Sequence, residues 1–475
     1  MSAHGILGYA AYLPRHRVQL SEVGATLGIA GGRGARVVAS FDEDSTTMGV
    51  EAAAALLRTH PAAPGSVYFA TTSPAYFDKT NASAIHAALG LPAEVFAADL
   101  AGSARSGIAA WRAAAATGGL AVLSDVRTGR PASPDERGGG DGAAAFLFGD
   151  PAVAIAEIIA ESSVTTEILD RWRTPGEAAG GQWEERFGLE VYLPLVKRAA
   201  ATVLASANLE RADHVVLVSP NSGVVKQGPK AVTGTVSTTV SPVGHAGTAD
   251  AGLGLADALD RAAPGETILV LSAADGCDAV LLRTTGRIAD SRQASPVAEQ
   301  LTDGIDVPYA TYLSWRGWLE REPPRRPEPD RPAGPPSARS ARWKFSFTGS
   351  ACRRCGFVHL PPSRVCKKCA SVDEMDRRSL AAAQGSVATY TVDRLAFSPS
   401  PPLIDAVVDF DGGGRYTLEV ADAEPARLAV GTRVGLTFRR LYTAGGVHNY
   451  FWKARVLGGA PEGAERSTAG AGGRV

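Results

Sequence analysis

Long apolar runs are missing from this chain. No stretch reaches the ~18 consecutive apolar residues that a membrane-spanning helix requires. The amino-terminal segment also lacks a basic stretch followed by a long apolar core, which a secretory signal would need. These absences argue against a membrane protein built from helices, and they predict a cytoplasmic protein.

Cysteine is scarce, with five residues among 475. Four of them, Cys352, Cys355, Cys366 and Cys369, form the pattern C-x2-C-x10-C-x2-C. This spacing places four thiolates within reach of one tetrahedral ion and predicts a structural zinc site. Because four thiolates leave no open position for water or substrate, we expect the metal to hold a small ribbon together. The fifth, Cys277, is interpreted as a small core residue.

Net charge is nearly absent, at −1, but the balance is uneven along the chain. Residues 341–475 carry 19 Lys and Arg against 12 Asp and Glu. A mildly basic carboxyl-terminal part can meet a phosphate-bearing ligand, or it can dock onto the acidic remainder. Both interpretations stay open.

Proline marks the division of the chain. Seven prolines and no large apolar residue lie in 322–340, so we expect an extended linker at 322–341. Before it, β-type runs at 66–73, 214–220 and 266–274 alternate with Ala-rich helical stretches such as 50–59 and 106–117. This alternation predicts a layered α/β fold with helices on the faces of the sheet.

After the linker, we place the zinc ribbon at 342–380. Five short β-type runs separated by Gly, Pro and Asp then predict a small closed all-β barrel of OB type at 381–457. The tail at 458–475 is predicted to be disordered.

Several motifs together point to a family. They are GILGYAAYLPRHRV at the start, FDEDSTTMGVEAA, GDGAAAFLFGD, GHAGTADAGLGLADAL, DRWRTPGE, QWEERFG and YATYLSWRGW. In order and coverage they resemble 3-hydroxy-3-methylglutaryl-CoA synthases of the archaeal type, in the thiolase superfamily, over about residues 4–320. The resemblance implies a thiolase-like layered αβαβα fold for 1–321 and a homodimer. The carboxyl-terminal part resembles rubredoxin-like zinc ribbon and OB-fold proteins that accompany thiolase-like enzymes as a partner subunit.

The resemblance also assigns positions to the family's catalytic residues. Ser103 aligns with the acylated cysteine, Thr72 with the general-base glutamate and Val218 with the histidine, while Pro220 and Asn221 are kept. A serine hydroxyl is far less ionised at neutral pH than a thiol, so the family's own mechanism is not expected.

One histidine is nevertheless brought to the implied pocket. His245 aligns with the asparagine that follows a glycine in related condensing enzymes. It is a candidate base, oxyanion donor or capping residue on a glycine-rich loop, and function is favoured. Asp250 can orient it, although a charge at a helix amino terminus is the favoured interpretation. Ser103 is either a nucleophile activated at the start of a helix or a small residue filling the space of a lost cysteine.

Other candidates are weaker. Thr72 and Asn221 are either hydrogen-bond donors to substrate or ordinary strand-end and loop groups. Lys226 and Lys230 either bind the phosphates of coenzyme A, as the resemblance suggests, or are solvated surface lysines. His359, between the two cysteine pairs, is expected to be a solvent-facing turn residue.

Our leading hypothesis is an acyltransferase or a Claisen- or aldol-type enzyme that makes or breaks C–C bonds. It would act on acyl-CoA or acyl-carrier-protein thioesters, in specialised metabolism. The first alternative is a thiolase-like scaffold or channelling partner that has lost its chemistry. The second is a nucleic-acid-binding ribbon and barrel, ranked last because the positive charge is modest and no aromatic stacking motif is evident.

Overall fold

The chain forms two compact units in a computed structural model. The first unit is Met1–Pro323 together with Phe438–Tyr450, and the second is Pro324–Thr437 together with Phe451–Val475. The predicted tail lies outside the described residues, as does part of the predicted linker. The structure describes residues 5–61, 63–232, 234–236, 243–322, 326, 328, 330–332, 334, 338–422 and 424–457.

A large mixed sheet organises the first unit. Its strands run in the order β12-β11-β13-β14-β8-β1-β7-β6-β4-β5. The strands of this unit are β1 (Gly5–Tyr12), β2 (His16–Gln19), β3 (Ala35–Val38), β4 (Ser66–Thr71), β5 (Phe96–Ala101), β6 (Leu120–Asp125), β7 (Gly142–Gly149), β8 (Ala156–Thr165), β9 (Arg171–Trp172), β10 (Gly181–Gln182), β11 (Ala212–Val218), β12 (Gly234–Val236), β13 (Thr267–Ser272), β14 (Gly276–Thr284) and β15 (Ile305–Asp306).

The large sheet consists of two halves with the same topology. In one half β4 runs parallel to β5 and β6, and β7 then pairs antiparallel with β6 and β1. In the other half β11 runs parallel to β12 and β13, and β14 pairs antiparallel with β13 and β8. The halves join where Ile6 of β1 lies opposite Ala156 of β8. The first unit therefore contains an internal structural repeat that the sequence pattern does not reveal.

Helices cover and separate the two halves. α2 packs on β7, β1 and β6, whereas α6 packs on β14 and β8. α4 and α8 contact each other and reach strands of the sheet, which places them between the halves. The helices of this unit are α1 (Leu20–Leu27), α2 (Ser45–Thr59), α3 (Ala82–Ala88), α4 (Ser106–Thr117), α5 (Pro134–Gly138), α6 (Glu185–Ser206), α7 (Ser222–Gln227), α8 (Asp250–Arg261), α9 (Val297–Thr302) and α10 (Tyr309–Trp315).

Local sequence explains where α2 begins and why α8 can be buried between the two halves of the sheet. The side chain of Asp44 accepts from the N–H of Thr47, and the Thr47 hydroxyl accepts from the N–H of Asp44, which is a capping box at the start of α2. α8 is buried along almost its whole length and is rich in Ala, Gly and Leu. A helix buried on all sides needs such residues, because bulky polar side chains would have no solvent to face. Among the described helices, none is long and apolar enough to cross a membrane.

The second unit holds a ribbon and a barrel. The ribbon sheet has the order β17-β16-β18 and the barrel sheet has the order β21-β20-β19-β22-β23. The sheet edges meet at Val420 and Ala454, so the barrel closes. Its elements are α11 (Ala341–Lys344), β16 (Thr348–Cys352), β17 (Val358–His359), β18 (Met375–Ser379), β19 (Gly385–Asp393), β20 (Leu403–Phe410), β21 (Arg415–Glu419), β22 (Arg433–Ala444) and β23 (Val447–Val456).

A β-hairpin belongs to the first unit although both of its strands extend into the barrel. The distal parts of β22 and β23, with their turn, are Phe438–Tyr450. Within this segment the buried Arg439 lies 3.2 Å from the Asp42 carboxylate and 3.1 Å from the Glu43 carboxylate. The Tyr450 hydroxyl donates to Asp44 at 2.8 Å. The hairpin is thus held by hydrogen-bonded charges beside the start of α2.

We predict that Arg439→Leu lowers the free energy of unfolding by about 3–5 kcal/mol, because it removes a buried cation from two buried carboxylates. The matched control is Arg433→Leu in the same strand, whose partner Asp411 is solvent-exposed, and it should cost less than about 1 kcal/mol. Urea denaturation followed by circular dichroism measures both. Equal unfolding midpoints for the two variants would contradict the prediction.

Candidate functional site

A cavity opens where parallel strands of both halves of the large sheet end. Thr72 follows β4, Ser103 follows β5 and Arg127 follows β6, while Pro220 follows β11 and Asp275 follows β13. All five residues line the same chamber. Because the carboxyl ends of parallel strands meet at one edge of a sheet, residues far apart in the chain converge here.

The cavity has two chambers. The first has a volume of about 210 Å³ and the second about 450 Å³. Five residues line both chambers, so the chambers adjoin. The shared residues are Arg127, Asp135, Arg171, Pro220 and His245.

Asp125, the last residue of β6, is wholly buried behind the first chamber. Its Oδ1 accepts hydrogen bonds from the hydroxyls of Thr71, Thr72 and Ser73 and from the N–H groups of Thr72 and Ser73. Its Oδ2 accepts from the N–H of Thr248 at 2.7 Å. A buried carboxylate is costly unless its oxygens are satisfied, and here six donors satisfy them. This single side chain fixes the Thr72 loop against the segment that precedes α8.

His245 lies in the wall between the chambers. Its Nδ1 lies 2.7 Å from Oδ2 of Asp250, the first residue of α8. Its main-chain N–H donates to the carbonyl of Gly138 at 2.7 Å, which fixes the loop. With Nδ1 engaged, the other ring nitrogen is the one available to a ligand. Asp250 therefore both orients the imidazole and places a negative charge at the amino terminus of α8.

The loop that carries His245 depends on glycine. Gly244 adopts φ +82°, and a Cβ there would lie 2.5 Å from the Gly138 carbonyl oxygen. Gly247 adopts φ +60°, and a Cβ there would lie 2.0 Å from Oδ2 of Asp125. Both positions combine a left-handed backbone with no room for a side chain, so only glycine fits.

Ser103 occupies the turn between β5 and α4. It is solvent-exposed, and its hydroxyl accepts from the N–H of Arg105 at 3.3 Å. Its carbonyl accepts from the N–H of Ser106, the first residue of α4. The predicted position before a helix is found, and the side chain lines the first chamber together with Thr72 and His245.

Two further candidates, Asn221 and Lys230, line neither chamber. Asn221 does not line either chamber; it caps α7 by accepting from the N–H groups of Gly223 and Val224, and it donates to the Glu185 carbonyl. Lys226 lines the second chamber, whereas Lys230, three residues beyond α7, lines neither.

Three arginines in the first chamber were missed by sequence reasoning. The guanidinium of Arg127 donates to the Thr72 hydroxyl at 3.0 Å, and that of Arg173 donates to the Thr72 carbonyl. Arg171 pairs with Asp135 and also donates to the Pro220 carbonyl at 3.1 Å. Two of them lie in the DRWRTPGE motif, which served only to support the family resemblance.

The four ribbon cysteines form a cluster. Their sulfur atoms all lie within 4.8 Å of one another. The Sγ atoms of Cys352 and Cys369 are 3.6 Å apart, and those of Cys355 and Cys366 are 3.5 Å apart. Four thiolates at 2.3 Å from one tetrahedral ion would be separated by about 3.8 Å, so the cluster fits zinc. The Ser371 hydroxyl lies 3.2 Å from Cys352 Sγ and can hydrogen-bond it.

Two other predictions concern single residues. His359 was expected to face solvent, and this is wrong: it is buried in β17, which pairs with β16, and its ring contacts that of Phe357. Burial lowers the pKa of its imidazole. Cys277 lies in the core of β14, and burial raises the pKa of its thiol to about 12, so it is not a reactive thiolate.

Comparison with known proteins finds relatives of both parts of the chain. Residues 345–376 match the family model "ChsH2, rubredoxin-like zinc ribbon domain", and residues 379–439 match "ChsH2, C-terminal OB-fold domain". The hydroxymethylglutaryl-CoA synthase of Methanopyrus kandleri is 33% identical over 345 residues, covering 66% of this chain and 98% of the relative. That of Archaeoglobus fulgidus is 30% identical over 341 residues, with 66% and 98% covered.

Solved structures agree on the fold. A hydroxymethylglutaryl-CoA synthase complexed with CoA superposes with a TM-score of 0.58 at 16% identity, covering 68% of this chain and 91% of the other. The 3-oxoacyl-(acyl carrier protein) synthase III of Pseudomonas aeruginosa gives 0.54 at 19% identity, covering 60% and 98%. The predicted thiolase-like layered fold, zinc ribbon and OB barrel are confirmed.

Proposed function

Because the chain belongs to the hydroxymethylglutaryl-CoA synthase family, we propose that it is an acyltransferase of Claisen or aldol type that acts on acyl-CoA or acyl-carrier-protein thioesters. The observation that carries this proposal is the lining of the first chamber, where Ser103 and Thr72, which follow parallel strands, lie together with His245. A nucleophile and a base around one cavity are groups that acyl transfer needs.

In the proposed reaction, Ser103 accepts the acyl group. Its Oγ attacks the thioester carbonyl carbon while its proton passes to the free ring nitrogen of His245. The C–S bond then breaks, and the thiol leaves carrying a proton. Main-chain N–H groups in the turn before α4 would stabilise the oxyanion that develops on the carbonyl oxygen. Asp250 stabilises the imidazolium that forms.

A second route uses the same base without an acyl-serine. A thioester bound in the first chamber would react directly, and His245 would remove the proton that makes the carbon nucleophile. Both routes place the coenzyme or carrier arm in the second chamber, where Lys226 and Arg137 line the wall and would bind phosphate.

The ribbon is proposed to bind one zinc ion through Cys352, Cys355, Cys366 and Cys369. All four ligand positions would be occupied by thiolates, so the ion would contribute folding free energy and no chemistry.

The homodimer that the resemblance implies is proposed to form through β5. This strand lies at the edge of the large sheet and has no further strand beside it among the described residues. Its side chains are exposed or half-buried along the whole strand, and Phe96 is 59% exposed. An uncovered apolar edge strand pairs readily with another chain, and a two-fold axis would let the same strand pair with itself.

We predict that Ser103→Ala and His245→Ala each lower turnover of acyl-CoA by about two orders of magnitude or more, and that the double variant is little worse than either. Incubation with acyl-CoA should release CoA and add the acyl mass to the peptide that contains Ser103. Ser83→Ala, an exposed serine away from the chambers, is the control.

The outcomes separate the alternatives. Full activity in Ser103→Ala with loss in His245→Ala would favour direct reaction on the bound thioester. Full activity in both variants would mean that the site is wrongly placed, and no acyl transfer in the native protein would favour the scaffold.

We predict one zinc per chain, and unfolding of the ribbon after chelation or in Cys366→Ser, because three thiolates hold the ion less tightly. Elemental analysis measures the metal, and near-ultraviolet circular dichroism reports the ribbon. The first unit should keep its secondary structure. Well under one zinc per chain in native protein would contradict the proposal.

We predict that Phe96→Glu converts a dimer into monomers, because pairing through β5 would bury a carboxylate that has no partner. Phe77→Glu is the matched control, since Phe77 is 68% exposed but lies outside the strands. Analytical ultracentrifugation at micromolar concentration measures the mass. A monomeric native protein, or a dimer that survives Phe96→Glu, would argue against pairing through β5.

A further inference from the structure

We propose that the zinc ribbon binds an acidic amphipathic helix of a partner protein. The contact is made by an exposed apolar centre with unpaired cations around it, here called the ribbon surface. The ribbon surface consists of Arg354, Phe357, Val365, Lys367, Lys368 and Val372. The inference goes beyond the proposed function and does not depend on the chemistry of the first chamber.

The positive charge of the carboxyl-terminal part is concentrated in the ribbon. Residues 342–380 carry nine Lys and Arg against three Asp and Glu, a surplus of six. Residues 381–475 carry ten against nine, so the remainder is nearly neutral. A zinc ion held by four thiolates would subtract about two charges, which still leaves the ribbon cationic. The ribbon is therefore the part of this region that attracts an anionic partner.

The acidic side chains of the ribbon are already engaged. Arg353 Nε lies 3.6 Å from the carboxylates of both Glu374 and Asp376. Arg364 donates two hydrogen bonds of 2.7 Å to the Asp373 carboxylate. Two arginines thus account for all three carboxylates of residues 342–380.

The cations of the ribbon surface are left without an acidic partner. Arg354, Lys367 and Lys368 are exposed, and none of them makes an ion pair within the part of the chain that the structure describes. The barrel carboxylates beside the turn that meets the ribbon are paired with barrel arginines, Asp409 with Arg415 and Asp411 with Arg433. The three cations are therefore available to carboxylates of another molecule.

The cysteine cluster brings these cations to one end of the ribbon. Arg354 directly precedes Cys355, and Lys367 directly follows Cys366. The sulfur atoms of the two cysteines are 3.5 Å apart, so the two turns lie side by side. Lys368 is the next residue of the second turn. A bound anionic group would relieve the repulsion between these neighbouring charges.

The same end of the ribbon exposes apolar side chains. Val365, which precedes Cys366, forms an antiparallel bridge with Val372, so the two side chains lie on one face. They are 48% and 58% exposed, and Phe357, two residues after Cys355, is 40% exposed. Single exposed apolar residues are ordinary, but an apolar centre with charges around it is typical of a protein–protein contact.

An acidic amphipathic helix supplies both kinds of group. Its apolar stripe, with side chains at i, i+3, i+4 and i+7, would pack on Val365, Val372 and Phe357. Its flanking Asp and Glu side chains would pair with the three cations. Because these pairs stay near solvent, they decide the choice of partner and the rate of association more than the affinity.

Nucleic acid fits the ribbon surface less well. Base stacking needs exposed aromatic rings, and within the described ribbon one aromatic residue, Phe357, is exposed. Asp373, Glu374 and Asp376 follow Val372 directly or closely and are exposed, so they would repel a phosphate backbone. A protein partner can avoid these carboxylates, because its charges need not be of one sign.

The test measures binding of a fluorescein-labelled synthetic helical peptide to the full-length protein, by fluorescence anisotropy at physiological ionic strength. The peptide has a leucine stripe with glutamates on both flanks. Two comparison peptides have lysine in place of every glutamate, or serine in place of every leucine. The native protein should bind the acidic amphipathic peptide about tenfold or more tightly than either, since each comparison peptide lacks one kind of contact.

Variants assign the binding to the ribbon surface. Lys367→Glu/Lys368→Glu should weaken binding of the acidic peptide about tenfold or more, because two attractions become repulsions. Val372→Ser should weaken it about threefold or more through the lost apolar contact. The matched control is Arg377→Glu/Arg378→Glu, which makes the same change of net charge farther from the cysteines along β18. It should change the affinity less than about twofold.

Zinc content and circular dichroism report whether each variant keeps its ribbon. Should Lys367→Glu/Lys368→Glu lose zinc, Arg354→Glu and Val372→Ser provide the same comparison against the control.

Four results would overturn the proposal. One is the absence of saturable binding of the acidic peptide to the native protein. Another is equal weakening by the two double charge reversals, which would indicate general electrostatic attraction. Displacement of the peptide by an equal concentration of single-stranded DNA would identify a phosphate ligand. Self-association of the native protein that is lost in Lys367→Glu/Lys368→Glu would assign the ribbon surface to a second copy of this chain.

Discussion

The buried carboxylate of Asp125 is the interaction on which the candidate site depends. It joins the end of β6 to the Thr72 loop after β4 and to the turn before α8, through six hydrogen bonds. None of these segments is adjacent to another in the chain. Since a buried carboxyl group is tolerated only when its oxygens are hydrogen-bonded, the three segments are held in one relative position. The positions of Thr72 and His245 follow from this arrangement.

The fold could be predicted from sequence because its elements are regular. The apolar run at 66–73 contains β4, and the Ala-rich run at 106–117 has the bounds of α4. The cysteine spacing predicted a cluster whose sulfur atoms do lie together. In each case the signal is local: a period, a spacing or a turn residue.

Much of the site could not be predicted in this way. Arg171 and Arg173 lie in and beside a two-residue strand, and they reach the chamber only through tertiary packing. Asp125 ends an ordinary buried strand, and nothing in its neighbours indicates a hydrogen-bond centre. His359 was misjudged for a similar reason, because β17 is too short to show a pattern. The family resemblance indicated Ser103 and His245 as candidates. It gave no information about other positions, because it concerns only those where the family has catalytic residues.

Because the hairpin at 438–450 belongs to the first unit, cutting the proline-rich segment would not by itself separate the two parts of the chain. The chain leaves the first unit near residue 323, returns at Phe438 and leaves again after Tyr450. A protease that cuts only between residues 324 and 340 would break the backbone once, yet the carboxyl-terminal fragment would still contribute Arg439 and Tyr450 to the amino-terminal fragment. The two fragments would co-purify as a noncovalent complex, and an amino-terminal piece produced alone would lack the cation that Asp42 and Glu43 require.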